Sequence, residues 1–358
     1  MTFDRQTEQL VIFARKIGFE PVGVCPATEA ATFSSFERWL EQKTRRNGDD
    51  NGSNDCGMGY LERHREARRH PSSVLRDVKS LLVVGLAYDS VNPPPDDFAP
   101  VTADFEPTGY GIIAEYARGL DYHDVVRNKL TQLAEVHQRL FPEASTRIAV
   151  DTAPILEREY AFRAGLGWPG KNTMLMNEQF GSRFFLGILL STVELTFHEN
   201  HEIRVGDMQD RSRCGNCRKC VDACPTGALD TPYQLDARKC LNYWTIEHRQ
   251  EDIPLEIREK IGNRLYGCDT CQTACPYNQR CVQNALKNRK QTGCGTSQEN
   301  FASQNLREQL IRGRMSLAAV EALDETTFQK QFAGTPLQRL GLSRLKRNAL
   351  IVKANEGR

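Results

Sequence analysis

The 358-residue chain lacks the long apolar stretches that a membrane protein needs. Its long apolar runs, such as residues 184–190, have the length of a strand, well below the roughly 18 residues of a membrane span. The N-terminus also lacks a basic start followed by an apolar segment, which is the pattern of a signal peptide. No charge of one sign dominates, since the net charge is +1 with 26% charged residues. These absences predict a protein of the cytoplasm that has no membrane partner.

Cysteine, by contrast, is frequent, and eight of the 12 cysteines fall into two runs. The first run has the pattern CxxCxxCxxxCP, and the second has CxxCxxxCP preceded by one distant cysteine. Bacterial ferredoxins show the first pattern, in which the cysteine before proline ligates the other of two [4Fe–4S] clusters. The predicted ligands of the first cluster are Cys214, Cys217, Cys220 and Cys275. The predicted ligands of the second cluster are Cys268, Cys271, Cys224 and, by elimination, Cys240.

Other chemistries of cysteine explain these runs less well. Paired CxxC motifs would suit two tetrahedral zinc sites, but zinc does not account for a CxxCxxCxxxCP run. A disulfide framework is disfavoured in a long chain without a signal peptide. The remaining cysteines are expected to be free thiols, and they are Cys25, Cys56, Cys281 and Cys294.

The pattern of apolar residues predicts a multi-domain protein of the α+β or α/β class. In residues 1–195, strand-like runs alternate with helical patterns such as the one at residues 126–140. The strand-like runs cover residues 21–25, 81–88, 147–150 and 184–190. In residues 196–295 the clusters should organise the fold, because metal binding supplies folding free energy directly. Residues 296–358 have helical patterns with two short apolar stripes.

Charge is distributed unevenly along the chain. Residues 276–358 contain 14 Lys and Arg against 6 Asp and Glu, a net charge of +8 that leaves −7 for the rest. A basic region on a nearly neutral protein suggests a polyanionic partner. A solvated helical face is an equally weighted alternative, so the charge alone does not decide.

A second informative segment, residues 151–177, follows the predicted strand 147–150. Asp151 ends that strand, at the position where open α/β sheets bind ligands. On position alone, however, Asp151 is favoured as a cap for a helix predicted at 154–164. Three glycines at residues 165–170 would let the backbone approach a ligand closely. The loop lacks the GxGxxG spacing of a dinucleotide site, and Asn172 replaces the Ser or Thr of a GxxxxGK[ST] phosphate loop.

Taken together, the motifs resemble those of the epoxyqueuosine reductases, a family of cobalamin-dependent iron–sulfur enzymes. The resemblance rests on both cysteine runs, the 151–177 segment, GMGYLERH at 57–64, YARGLDYH at 116–123 and IGNRLYGC at 261–268. It implies three domains in chain order. These are an α/β cobalamin- and substrate-binding domain (1–195), a ferredoxin-like two-cluster domain (196–295) and a short, basic, HEAT-like helical region that contacts tRNA (296–358).

The resemblance also implies a reaction, the reduction of epoxyqueuosine to queuosine at the wobble position of tRNA, which ends queuosine biosynthesis. Cobalt(I) of cobalamin, fed by the two clusters, would attack the epoxide, and Asp151 would donate the proton. The cobalamin would bind with its base displaced and without a protein histidine on cobalt. The implied cobalamin contacts are Arg68, Arg158, Lys171, Asn172, Asn242 and Asp269. An external one-electron reductant is required, and a monomer is expected.

The tRNA would contact the basic C-terminal region through its phosphates. The residues expected to form this basic patch are Arg339, Arg344, Lys346, Arg347 and Lys353. His123 is a weaker candidate for contact with a flipped-out nucleoside. Two other functions fit the cysteines, a cobalamin iron–sulfur oxidoreductase acting on a small molecule, such as a dehalogenase, and a plain electron carrier. The basic tail and missing export signal disfavour the first, and the large N-terminal domain is unexplained by the second.

Overall fold

The computed structural model describes residues 5–45, 58–88, 108–196, 210–281 and 306–356. The chain divides into two compact units, each drawn from two separate stretches. The first unit contains Met1–Ala87 and His123–Cys217, and the second contains Tyr88–Tyr122 and Arg218–Arg358. Two of the four spare cysteines, Cys56 and Cys294, lie outside the described residues.

The secondary structure is mixed. In the described ranges the strands are β1 (Val22–Pro26), β2 (Ser80–Ala87), β3 (Tyr110–Ile113), β4 (Thr146–Ala149), β5 (Trp168–Pro169), β6 (Leu175–Met176), β7 (Phe184–Ser191), β8 (Arg264–Tyr266) and β9 (Arg314–Ser316). The α-helices are Arg5–Lys16, Phe33–Arg45, Gly59–Arg63, Tyr122–Leu140, Glu157–Arg163, Lys219–Asp222, Leu255–Ile261, Thr270–Thr273, Leu306–Ile311, Leu317–Ala322, Glu325–Phe332, Pro336–Leu340 and Leu342–Asn355. Short 3₁₀ turns cover Glu66–Arg68, Pro71–Ser73 and Glu115–Ala117, and a π-helical turn covers Tyr243–Glu247. None of these described helices has both the length and the apolar character needed to cross a membrane.

A four-stranded sheet lies at the centre of the first unit, in the order β1–β2–β7–β4. Its strands match the four strand-like runs of the sequence to within two residues, and the predicted helix is confirmed as Tyr122–Leu140. Every pairing in the sheet is antiparallel. The residues that follow the strands therefore do not gather at one carboxyl edge, as they do in a parallel sheet. The sheet-edge argument for a ligand beside Asp151 is thus wrong, although its position after a strand is confirmed.

One helix of the first unit, Glu157–Arg163, is firmly anchored beside the sheet. It buries Tyr160, Ala161 and Phe162 in the core that includes β2 and β7. The carboxylate of Glu159 on this helix pairs with Arg163 at 2.7 Å and accepts the backbone N–H groups of Ala31 and Thr32. Buried charges are stable only when paired and hydrogen-bonded in this way. The start of this helix is consequently a fixed point near the end of β4.

The second unit contains a three-stranded sheet in the order β8–β3–β9, with β3 parallel to β8 and antiparallel to β9. One apolar core joins residues on both sides of the predicted boundary at 295, including Leu241, Leu265, Phe328 and Leu345. Asn348 adds hydrogen bonds to the backbone carbonyls of Thr245 and Leu265, at 2.8 and 2.9 Å.

These contacts correct the predicted division into residues 1–195, 196–295 and 296–358. The C-terminal helices share their core with the cysteine-bearing segment, so they do not form a separate compact unit. The middle strand β3 belongs to residues that were assigned to the N-terminal domain. Pairing between strands this distant in sequence cannot be derived from local apolar patterns, which explains the error.

Candidate active site

The turn that carries Asp151 follows β4 directly. Asp151 has a φ of +56°, in the left-handed region that residues other than glycine seldom adopt. The N–H of Thr152 donates to the carbonyl of Val150 at 2.5 Å, which closes the turn around Asp151. The Asp151 side chain is 60% exposed, and its Oδ2 lies 3.2 Å from Nε2 of His123. The turn thus presents a carboxylate to solvent beside a histidine.

Glu157 holds the backbone of this turn. Its Oε1 accepts the N–H of Asp151 at 2.7 Å. Burial and, to a smaller extent, the neighbouring charge of Asp151 raise the pKa of the half-buried Glu157 carboxyl to about 8. Glu157 was not among the site residues predicted from the sequence. The sequence shows it only as an acidic residue in the first turn of the next helix, where acidic residues are common for electrostatic reasons.

The capping role that position alone favoured for Asp151 is wrong. The helix begins at Glu157 rather than Pro154, its N-cap is Leu156, and no side chain caps it. His123, the weaker nucleoside candidate, is 7% exposed and lies in the first turn of the helix Tyr122–Leu140, facing Asp151. The structure therefore brings together Asp151, His123 and Glu157 at one end of the sheet.

The glycines of the 165–170 loop serve the protein's own packing. A Cβ on Gly167 would lie 2.0 Å from the carbonyl oxygen of Met176, and one on Gly170 would lie 2.6 Å from Oδ1 of Asn172. Gly165 has a φ of +78° and ends the helix Glu157–Arg163 in a Schellman motif. The expectation that they let a ligand approach is thus replaced by a structural reason for each of them.

Asn172 is suited to hold a bound group. It is 4% exposed, its Oδ1 accepts the N–H of Met174 at 3.2 Å, and its Nδ2 has no hydrogen-bond partner among the described residues. A buried donor without a partner costs about 1–3 kcal/mol. An acceptor atom on a cofactor would remove that cost, so this residue fits the cobalamin contact that the sequence implied.

Two arginines implied as cobalamin contacts differ in their surroundings. Arg68 is 8% exposed, donates to the carbonyl of His64 at 3.0 Å, and lies 5.7 Å from the centre of the Phe36 ring. Burial lowers its pKa. Arg158 is exposed and donates to the carbonyl of Thr173 at 2.7 Å. Neither arginine forms a carboxylate ion pair in the described structure, and both guanidinium groups suit an anionic ligand.

Lys171 contacts the first cysteine run. Its Nζ donates to the carbonyl oxygens of Gly215 and Cys217, at 2.6 and 3.0 Å. Within the same turn, the N–H of Cys217 donates to the carbonyl of Cys214 at 2.9 Å. The structure therefore assigns Lys171 a role in holding this cysteine turn, in addition to the cobalamin contact implied by resemblance.

Asn242 and Asp269 play a similar part in the second unit. Oδ1 of Asn242 accepts the N–H of Cys268 at 2.8 Å, and Oδ2 of Asp269 accepts the N–H of Glu115 at 2.7 Å. Both side chains thus fix backbone close to a predicted cluster ligand. These bonds were invisible in the sequence, because each joins segments that are far apart along the chain.

The cysteines of the second unit lie close together. The short helices Lys219–Asp222 and Thr270–Thr273, which lie within the first and second cysteine runs, pack against each other. Burial raises the pKa of Cys240, and the charges of Cys268 and Cys224 raise it further. Burial also raises the pKa of Cys271 well above its usual value, with Cys268 and Cys240 adding to the effect. The predicted ligands of the second cluster are therefore neighbours.

The two described spare cysteines form no disulfide. Cys25 is buried in β1, and its thiol donates to the carbonyl of Tyr160 at 3.5 Å. Burial raises the pKa of this thiol to about 12, so it stays protonated and unreactive. Cys281 is half-buried.

The expected basic patch is only partly present at the surface. Arg347 is 5% exposed and donates to three backbone carbonyls of the second unit. Arg344 donates to the carbonyls of Ile246 and Arg339. Arg339 and Lys353 are exposed, but each forms an ion pair. Arg339 pairs with Asp121 at 2.7 Å, and Lys353 pairs with Glu321 at 2.9 Å. Arg347 and Arg344 donate to backbone carbonyls within the second unit. The prediction that these two residues belong to a basic surface patch is therefore wrong.

Comparisons with known proteins show which family the chain resembles. Residues 68–152 match the family model described as "Epoxyqueuosine reductase QueG, DUF1730". Residues 213–278 match the model of a 4Fe-4S double cluster binding domain, which assigns iron–sulfur clusters rather than zinc to the cysteine runs. The chain is similar to the epoxyqueuosine reductase of Pseudomonas aeruginosa, with 34% identity over 98% of this chain and 86% of that protein. The Vibrio cholerae epoxyqueuosine reductase is 33% identical over 99% and 85%.

Solved structures show the same likeness. The epoxyqueuosine reductase of Streptococcus thermophilus matches with a TM-score of 0.73 and 26% identity, over 98% of this chain and 81% of that chain. A Bacillus subtilis epoxyqueuosine reductase, with its catalytic aspartate loop swung out of the active site, matches with a TM-score of 0.71 and 28% identity, over 97% and 81%. An epoxyqueuosine reductase bound to an epoxyqueuosine-modified tRNA-Tyr stem loop matches with a TM-score of 0.71 and 27% identity, over 97% and 80%. The chain belongs to the epoxyqueuosine reductase family of oxidoreductases.

Proposed function

We propose that this protein reduces epoxyqueuosine to queuosine at the wobble position of tRNA, the last step of queuosine biosynthesis. The observation that carries the proposal is the exposed Asp151 carboxylate beside His123, on a chain similar to epoxyqueuosine reductases over nearly its whole length. The net reaction takes two electrons and two protons, converts the epoxide to an alkene, and releases its oxygen as water. It therefore needs both an electron supply and a positioned acid.

The electrons are proposed to come singly from an external reductant through two [4Fe–4S] clusters. The chain contains a double-cluster domain at residues 213–278. The proposed ligand sets are those of the sequence analysis, and the closeness of Cys224, Cys240, Cys268 and Cys271 supports the second set. These cysteines are only partly exposed, and such surroundings suit one-electron carriers because solvent exposure and hydrogen bonds help to set the reduction potential.

Cobalamin is the proposed second cofactor, and the residues that would hold it are Asn172, Arg68 and Arg158. When bound, cobalamin supplies the cobalt(I) nucleophile that attacks the epoxide carbon. The Asn172 Nδ2 donor supports this proposal because it is buried without a partner in the described structure. The two guanidinium groups would pair with anionic parts of the ligand.

Asp151 is proposed as the proton donor. As the epoxide ring opens, its oxygen gains negative charge and takes the proton from the Asp151 carboxyl. His123 Nε2, at 3.2 Å from Oδ2, orients the carboxyl, which is itself exposed enough to regain a proton from solvent. The turn supports this role because its exposed carboxylate can reach a substrate. The swung-out aspartate loop of the Bacillus subtilis relative suggests that the corresponding loop moves during the reaction cycle.

The proposed substrate is a tRNA with epoxyqueuosine in its anticodon loop, as the bound stem loop of a solved relative suggests. The flipped-out nucleoside would enter the site while phosphates contact basic residues. Since Arg347 and Arg344 are internal donors, Arg339 and Lys353 are the more exposed candidates for those contacts. We further propose that the protein acts in the cytoplasm as a monomer.

The test is anaerobic reconstitution with iron, sulfide and cobalamin, followed by incubation with epoxyqueuosine-containing tRNA and a strong one-electron donor. Queuosine formation, measured by mass spectrometry of the digested tRNA, is the expected result. Protein without cobalamin and tRNA without the modification are the controls. Absence of queuosine, with the clusters and cobalamin both shown to be loaded, would rule out the proposed activity.

A further inference from the structure

The Asp151 turn needs an external support. A residue other than glycine keeps a left-handed backbone only when the surrounding structure holds it there. Asp151 has this backbone, with a φ of +56°, and its side chain is largely exposed. The hydrogen bond within the turn joins the N–H of Thr152 to the carbonyl of Val150. The N–H of Asp151 takes no part in that bond.

Glu157 gives that support from a rigid element. Its Oε1 accepts the Asp151 N–H at 2.7 Å across six residues of chain. Glu157 is the first residue of the helix Glu157–Arg163, which the buried Tyr160 packs against the sheet and the Glu159 carboxylate ties to the backbone of residues 31 and 32. An acceptor on a fixed helix can hold the turn in one position. An acceptor within the turn could not do this, because it would move together with the turn.

We propose that Glu157 is a positioning residue, whose hydrogen bond to the Asp151 backbone holds the turn in the conformation that presents the Asp151 carboxyl. The inference rests on the proposed function, because it concerns the residue assigned there as proton donor. Glu157 touches neither substrate nor cofactor in this role. It acts through the geometry of Asp151.

The charge state of Glu157 is compatible with this role at neutral pH. Burial and the charge of Asp151 raise its pKa to about 8, although the Asp151 N–H bond, Arg158 and His123 each lower it. Near pH 7 the carboxyl is therefore largely neutral, with one oxygen free to accept the Asp151 N–H. Because the bond from the Asp151 N–H lowers the pKa, it favours the ionised carboxylate, so ionisation above about pH 8 does not remove the acceptor.

Amide hydrogen exchange of the reconstituted protein tests the bond directly, read by mass spectrometry on fragments that contain Asp151. Glu157→Met removes the acceptor at similar size, and Glu157→Gln keeps a neutral oxygen in the same place. Glu143→Met, at an exposed glutamate of the same unit, is the matched control. We expect exchange at Asp151 to rise about tenfold in Glu157→Met, as for loss of one hydrogen bond, and to stay near wild type in the other two.

Turnover gives the second readout. Glu157→Met should lower kcat about 10- to 100-fold, because misplacing a reacting group costs this much, with unchanged tRNA affinity and iron content. Glu157→Gln should recover most of kcat, because its amide oxygen can accept the same N–H. A role in packing alone would not separate Glu157→Gln from Glu157→Met, since the two side chains are similar in size.

The outcomes are distinct. Wild-type exchange at Asp151 in a folded Glu157→Met variant overturns the proposal. Where circular dichroism shows that Glu157→Met does not fold, Glu157→Ala, which also removes the acceptor, decides. Faster Asp151 exchange in Glu157→Ala than in the wild type supports the role, and equal exchange overturns it. The exchange measurement needs no turnover, so a protein that forms no queuosine while showing the expected exchange pattern would refute only the proposed function.

Discussion

The two compact units hold their candidate functional residues in opposite ways. In the first unit, Asp151 is largely exposed on a left-handed turn, with Glu157 bonded to its backbone. In the second unit, Cys240 and Cys271 are desolvated, and Asn242 locks the backbone of Cys268. A proton donor must reach its substrate and regain protons from solvent, whereas a cluster ligand must stay fixed in one geometry. Substitutions at the Asp151 turn should therefore change turnover with iron retained, and substitutions at Cys240 or its neighbours in the second unit should change iron binding or folding.

The largest effect is expected for Cys240→Ala. One of the two cluster signals should disappear, iron content should fall by about half, and turnover should be lost, because one cube would keep only three thiolates. Iron analysis and electron paramagnetic resonance of the reduced protein measure this. Cys281→Ala is the control and should retain both signals. Two intact signals in Cys240→Ala would transfer its assigned role to one of the four spare cysteines.

Asp151→Asn should lower kcat about 10²- to 10⁴-fold, the usual contribution of a positioned acid. Both clusters and the bound cobalamin should remain, since the change keeps the size and backbone of the turn. Queuosine formation under single-turnover conditions measures the loss. Asp77→Asn is a matched control, because Asp77 is an exposed aspartate of the same unit with a similar φ of +58°. Loss of cobalamin or of the fold in Asp151→Asn would point to a structural role instead.

Asn348→Ala tests the rigidity of the second unit. It leaves the buried carbonyls of Thr245 and Leu265 without their donor and removes an acceptor of Arg347. Each buried polar group left without a partner costs about 1–3 kcal/mol, so we expect a loss of about 2–3 kcal/mol in the free energy of unfolding. Chemical denaturation measures it. Asn355→Ala also removes a donor to two carbonyls, but at a more exposed position, and should cost less than half as much.

The smallest effect is expected for Lys171→Met. The change removes a cation from the turn that carries Cys214 and Cys217, whereas the second run has the neutral amide of Asn242 at Cys268. Loss of the charge should lower the reduction potential of one cluster by roughly tens of millivolts and leave the other unchanged. A redox titration followed by electron paramagnetic resonance measures both clusters at once. Lys171→Arg should preserve the potential, and equal shifts of both clusters would contradict the assignment.

Local features of the fold were predictable, and long-range ones were not. The strands β2 and β7 are continuous apolar runs, which identify buried strands from the sequence alone. Their antiparallel pairing and the insertion of β3 between β8 and β9 depend on contacts between distant segments. The same limit applied to the site. Asp151 was identified by its place after a strand and by family resemblance, but its support by Glu157 depends on how a turn meets a helix.

The basic C-terminal region shows the limit most clearly. Its charge is a property of composition, but Arg347 and Arg344 bond backbone carbonyls of the second unit. The composition of a segment is the same whether its Lys and Arg side chains face water or donate to backbone carbonyls inside a core. Only the packing of the helix Leu342–Asn355 separates the two cases.

The sequence by itself determined the cysteine spacing, the strands of the first unit and the family, because ligand spacing and apolar periodicity are written within short stretches of chain. The tertiary structure decided that the units cross the predicted domain boundaries. It also decided that Asn242 and Lys171 bond the backbone at cysteine turns and that Glu157 supports Asp151. These are hydrogen bonds between segments brought together only by folding, and their geometry follows from packing rather than from any local pattern.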